Sequence, residues 1–132
     1  MGSTIEQAPT ELTLPARPES VSIARRAVSE LGHELAFSDR RVGDLRTVVS
    51  EACMNAAVHA YDAPGGEFEV RAEPNQDGVA ITVTDRGSGI RPRPALGSPS
   101  ARLGLLLIAA LSDSVEISSR HGGGTQLSIR FS

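Results

Sequence analysis

The chain is 132 residues long, 39% hydrophobic and only 3% aromatic, with a net charge of −3. That length suits one domain whose core is built of Leu, Val, Ile and Ala rather than aromatic rings. The charge gives no basic footprint for nucleic acid, no apolar run of about 18 residues spans a membrane, and Met1–Thr10 lacks a secretory pattern, so a cytoplasmic location is expected.

Residues 1–10 are polar and aperiodic and read as a loose tail ahead of a single domain over 11–132. Leu12 and Leu14 alternate with polar neighbours until Pro15, which predicts a short edge strand. Val21, Ala24, Val28, Leu31 and Leu35 recur at helical spacing after Pro18. Ser38 is placed to cap a second helix over Asp39–Tyr61, with Val42, Leu45, Val48, Val49, Ala52 and Ala56 inward and Pro64-Gly65-Gly66 as its stop. Phe68, Val70 and Ala72, then Val79, Ile81 and Val83, alternate on either side of an Asn75–Gly78 turn and predict a hairpin. Ile90–Ser100 is rich in Pro, Gly, Ser and Arg and reads as a mobile loop. An apolar helix is expected over Gly104–Leu111, and nowhere in the chain does an exposed apolar stripe read as a dimer interface. Ser114–Arg120 and Thr125–Phe131 then form a second hairpin through His121–Gly124. Helices and strands are largely segregated, which predicts an α+β two-layer sandwich: a mixed, mostly antiparallel sheet covered on one face by helices.

The chemistry gathers around Glu51 and Asn55. Four residues apart on a helix, they share a face, while Val49, Cys53, Ala56, Ala57 and Ala60 line another. A polar pair on an otherwise buried helix costs stability unless it is satisfied by water, by a neighbouring side chain, or by a magnesium ion with its ligand. Asp85-x-Gly87-x-Gly89 follows directly on a strand. Its glycines let a planar ligand approach the backbone, and its carboxylate can accept a hydrogen bond from an exocyclic amine. Gly104, at the expected opening of a helix, would offer backbone amides suited to phosphate. Gly122-Gly123-Gly124-Thr125 adds a glycine turn and a hydroxyl. Each of these taken singly also reads as an ordinary turn. All 13 basic residues are arginines, so neither a P-loop nor the strand lysine of the common eukaryotic protein kinases is available. The lone Cys53 excludes an intramolecular disulfide and a cysteine zinc site, and it reads as a core residue.

Taken in this order, Glu51-x-x-x-Asn55-Ala-x-x-His59-Ala-Tyr61 and Asp85-x-Gly87-x-Gly89 resemble the nucleotide-binding fold of DNA gyrase B, Hsp90-type chaperones, histidine kinases and MutL. Within that fold the chain looks most like the bacterial anti-sigma factor serine kinases, over roughly Leu12–Phe131. The resemblance implies ATP and Mg²⁺ as cofactors, with Asn55 as metal ligand and Glu51 as general base toward a protein serine. It implies Asp85 on the adenine amine, Gly87 and Gly89 keeping that pocket open, Gly104 on the phosphates, and Thr125 supporting adenine. It further implies a sigma factor or an anti-sigma-factor antagonist as partner, in a partner-switching circuit, and a homodimer, since family members often dimerise.

The chain departs from the family in Arg102-Leu103-Gly104, where arginine replaces the first glycine of the usual Gly-x-Gly. Two readings stay open: Arg102 contacts the phosphates as a multi-donor cation, or it obstructs the loop. The second would make the chain a partner-binding module without catalysis. An ATPase fragment of the gyrase kind is disfavoured because no transducer domain follows Phe131. Arg91 and Arg93 read as solvated loop charges, His33 as a surface helix residue too close to Glu51 for a dimerisation hairpin between them, and His59 as a cap near its helix end.

Overall fold

The computed structural model describes residues 8–59, 66–85, 99–120 and 123–132, with the backbone alone described at Val58, His59 and Ala101. Strand β1 (Thr10–Pro15) leads into helix α1 (Pro18–Glu34) and helix α2 (Asp39–Met54), which runs directly into a π-helical turn (Asn55–His59). Strands β2 (Glu67–Pro74) and β3 (Val79–Asp85), helix α3 (Pro99–Leu111) and strands β4 (Ser114–Ser119) and β5 (Thr125–Phe131) complete the order. The strands form one sheet in the order β1-β2-β3-β5-β4. Every described pairing is antiparallel. The two-layer α+β sandwich is as expected; the parallel component that a mixed sheet would contain is absent among the described strands.

Alternation sets the sheet's inner face. Across it, Leu12 stands opposite Val70, Val70 opposite Val83, and Val83 opposite Leu127. The neighbouring row runs through Ala72, Ile81 and Ile129. Side chains of period two place these residues on one side, where they join α1's Val21, Ala24, Val28 and Leu31 and α2's Leu45, Val48, Val49 and Ala52 in a single core. The opposite side carries Glu11, Arg71, Thr82 and Ser128, so it faces water, with Arg71 paired to Glu11 and Glu73. The β2–β3 turn closes as Asn75 Oδ1 accepts the Asp77 and Gly78 amides at 3.0 and 2.8 Å. Gly123 and Gly124 adopt φ of 106° and 99°, which glycine tolerates, at the start of β5.

Helix α3 begins at Pro99, five residues before the expected opening at Gly104, because proline's fixed φ and missing N–H suit a first helical position. The expectation of no exposed apolar stripe is also corrected. Gly104 and Ile108 turn inward, while Leu103 and Leu106 stay 61% and 67% exposed, with Leu107 at the margin. Arg41 holds the other end of the helical layer. Its guanidinium lies 3.9 Å from the centroid of the Phe131 ring, donates to the Leu111 carbonyl that ends α3 at 3.1 Å, and pairs with Asp44 at 3.0 Å. Two further bonds reach the Ser132 carbonyl. One planar cation thus ties α2, α3 and β5 together. Residues 1–7 of the expected tail, residues 90–98 of the expected loop, the Tyr61 end and Pro64-Gly65 stop of the second helix, and the turn residues His121 and Gly122 lie outside the described residues.

The α1–α2 connection holds a strained residue. Phe37 N–H bonds the Gly32 carbonyl and Ala36 N–H bonds the His33 carbonyl, the paired bonds of a Schellman cap. Ala36 occupies its left-handed position at φ 62°, where a Cβ is unfavourable. Ser38 then caps α2 by accepting the Arg41 amide at 3.2 Å, as expected. Replacing Ala36 by Gly should raise stability by about 1 kcal/mol, read as a higher urea midpoint at unchanged slope. An unchanged or lower midpoint would show that Ala36 carries no strain.

Candidate active site

Helix α2 divides its surface as the sequence requires. Val48, Val49, Ala52, Cys53, Ala56 and Ala57 are buried in the core. Burial pushes the Cys53 thiol up to about 12, so it stays protonated and packs as a small hydrophobe. Glu51 and Asn55 stand one turn apart, Glu51 half-buried and Asn55 only 3% exposed. Asn55 Nδ2 has no hydrogen-bond partner among the described residues. Leaving such a donor dry costs about 1–3 kcal/mol, a cost that a bound ligand or a water would remove. The residue also marks where the backbone changes: its N–H reaches the carbonyls of both Ala52 and Glu51, and the chain continues as a π turn. Such turns widen a helix locally and often accompany functional sites. The π turn touches α3 and β3, which places Asn55 at the junction of the helical layer and the sheet.

The second group sits at the end of β3. Val79, Ile81, Val83 and Asp85 share the inward row, so a carboxylate stands where the pattern calls for a hydrophobe, opposite Phe68. Asp85 is 4% exposed. Its Oδ1 accepts the Thr125 amide at 3.1 Å. Burial pushes its carboxyl up to about 6, while the Thr125 bond and the charge of Arg120 pull the other way. At neutral pH Asp85 is therefore mostly ionised, with one oxygen held by Thr125 and the other able to accept from a ligand amine.

Of the residues picked from the sequence, Glu51, Asn55 and Gly104 lie on adjoining helices, and Asp85 and Thr125 are directly bonded. An added Cβ on Gly104 would lie 2.6 Å from Glu51 Oε1. Because α3 starts earlier than expected, Gly104 is its sixth residue, so its N–H belongs to the helix interior; the first-turn amides with no acceptor inside the helix are those of Ser100 and Ala101. Arg102 is exposed, about 160° around the helix from Gly104, so its side chain does not fill the space beside Glu51. Gly87 and Gly89 and the side chain of His59 lie outside the described residues. Sequence reasoning missed the π turn, the Gly104–Glu51 contact and the charge of Arg120 near Asp85. No local pattern announces these, since each depends on packing between distant segments.

The raised Asp85 carboxyl has a measurable consequence. The unfolded group releases its proton near 3.8 and the folded group near 6, so between those values the folded state holds more protons. Stability of the nucleotide-free protein should therefore fall as pH rises from about 4 to about 6, by at most about 3 kcal/mol, and then level off. Asp85→Asn should remove that part of the slope in denaturant titrations across this range. Parallel slopes for the two proteins would contradict it.

The family model for the histidine kinase-like ATPase domain matches residues 14–131. The serine-protein kinase RsbW of Oceanobacillus iheyensis is 32% identical over 126 residues, covering 85% of this chain and 80% of that protein. The serine-protein kinase RsbW of Bacillus subtilis is likewise 32% identical over 126 residues, covering 85% and 79%. A crystal structure of the RsbU and RsbW domains of Rv1364c from Mycobacterium tuberculosis superposes with a TM-score of 0.71 at 25% identity, covering 96% of this chain and 35% of that one. The chain belongs to the histidine kinase-like ATPase domain family and, within it, to the serine-protein kinases of the RsbW type.

Proposed function

We propose that this protein is an ATP-dependent serine/threonine kinase that acts in the cytoplasm as an anti-sigma factor. Its substrate in this reading is a serine of an anti-sigma-factor antagonist, and exchange between that antagonist and a sigma factor is the switch. The observation that carries the reading is the buried Asn55 carboxamide, its Nδ2 unpartnered among the described residues, one turn from the Glu51 carboxylate. The donor set fits the ligands of this chemistry. Asn55 would offer a hard amide oxygen to Mg²⁺, a metal that prefers oxygen ligands. When bound, Mg²⁺ neutralises phosphate charge.

Asp85 orients the nucleotide by accepting from the adenine amine, with Thr125 fixing that carboxylate through its backbone N–H. Gly87 and Gly89 keep the purine pocket open. The first-turn amides of α3 and the Arg102 guanidinium attract the phosphates. Glu51 takes the proton as the serine oxygen bonds to the γ-phosphorus and the bridging P–O bond to ADP breaks. A homodimer is part of the proposal. The binding-module alternative rested on obstruction by Arg102, and the outward position of that residue favours the kinase reading.

Glu51→Gln keeps the shape of the side chain and removes the base. Phosphate transfer to an antagonist serine should fall roughly 10²-fold or more, with magnesium–ATP affinity little changed. Transfer at the normal rate in single-turnover assays with γ-labelled ATP would remove Glu51 from the mechanism.

A further inference from the structure

The contact between α3 and Glu51 gives Gly104 a role other than phosphate binding. A methyl placed on its Cα would stand 2.6 Å from Glu51 Oε1, closer than real Cβ atoms approach any heavy atom. Its other near neighbours, Glu51 Cβ and Cδ, would be at 3.6 Å, an ordinary contact. Only the carboxylate would have to move, and no backbone stands in the way. Gly104 is buried and helical, in a position where alanine is the better helix former. Glycine here is therefore not explained by folding.

We propose that Gly104 is a positioning residue for the phosphotransfer base: its bare Cα is the seat against which the Glu51 carboxylate rests in its working rotamer. This rests on the reading of Glu51 as general base and deepens it. Arg41 fixes the distant end of the same helix pair through Leu111, Phe131 and Asp44, so α3 holds its distance from α2 and the added methyl displaces the carboxylate rather than the helix. A general base must lie within hydrogen-bond reach of the proton it takes, and a misplacement of about 1 Å can cost roughly 10²-fold in rate.

The test is a cycle of Gly104→Ala and Glu51→Asp in the full chain, with Glu51→Gln as the control for the base itself. Gly104→Ala should melt at or above the wild-type temperature, bind magnesium–ATP within about twofold of wild type, and lose kcat by roughly 10-fold to 10²-fold with little change in KM for the protein substrate. In the Glu51→Asp background, where the shorter side chain already stands clear of α3, Gly104→Ala should cost at most about twofold. In nucleotide-free protein, the carbon-13 carboxyl resonance assigned through Glu51→Gln should shift in Gly104→Ala. Equal losses in both backgrounds, an unmoved resonance, or a collapse of nucleotide affinity would each overturn the proposal, the last by returning Gly104 to the phosphates. Should Glu51→Gln itself transfer normally, the base assignment fails, whereas Glu51 proving essential alongside additive losses defeats the seat alone.

Discussion

The Asn55 carboxamide lies almost wholly out of water with Nδ2 unpartnered among the described residues, and much of the molecule is arranged around that dry amide. Helix α2 must bury one face on the sheet and hold a polar stripe on another. Small side chains at Ala52, Cys53, Ala56 and Ala57 meet the first demand by letting the helix sit close to the core. The switch to a π turn at Asn55 accompanies the second, at the place where α2, α3 and β3 converge. A buried donor left unpaired is unfavourable in the ligand-free protein, and binding that satisfies the amide recovers that cost.

The two halves of the candidate site are held by different means. Glu51 and Asn55 depend on helix packing, fixed at the far end by Arg41 bridging α2, α3 and β5. Asp85 and Thr125 depend on the antiparallel ladder, because β3 and β5 pair through Thr84 and Gln126 and bring the next residues into bonding range. The sheet supplies a rigid floor with an ionisable group, Asp85, at its inner edge. Burial raises the carboxyl of that group toward neutrality without making it neutral, so it keeps its acceptor character at physiological pH.

Much of this was legible in the sequence, and the reasons are specific. Val79, Ile81 and Val83 announce the inward row of β3 by alternation, and Asp85 is the next member of that row, so its burial follows from period two alone. The four-residue step from Glu51 to Asn55 fixes their shared face by helical geometry. Other features depend on contacts between segments far apart in the chain. The early start of α3 turned Gly104 from a helix opening into an interior residue and gave it a neighbour, Glu51, that lies 53 positions away. The exposed leucines of α3 were hidden in a run of apolar residues because periodicity cannot say which face a nearly continuous apolar helix turns inward. Ala36 stands at a left-handed helix end, where glycine is the usual residue, and could be found only from its backbone angle.

The central claim is that the α2 polar stripe is a magnesium–nucleotide site rather than a structural polar pair. Calorimetric titration of the full chain with ATP and with ADP, each with and without Mg²⁺, tests it most directly when repeated on Asn55→Ala. The account predicts saturable binding that strengthens with Mg²⁺ and loses that dependence in Asn55→Ala. Absence of binding at millimolar nucleotide, or magnesium-dependent binding that survives Asn55→Ala unchanged, would contradict it.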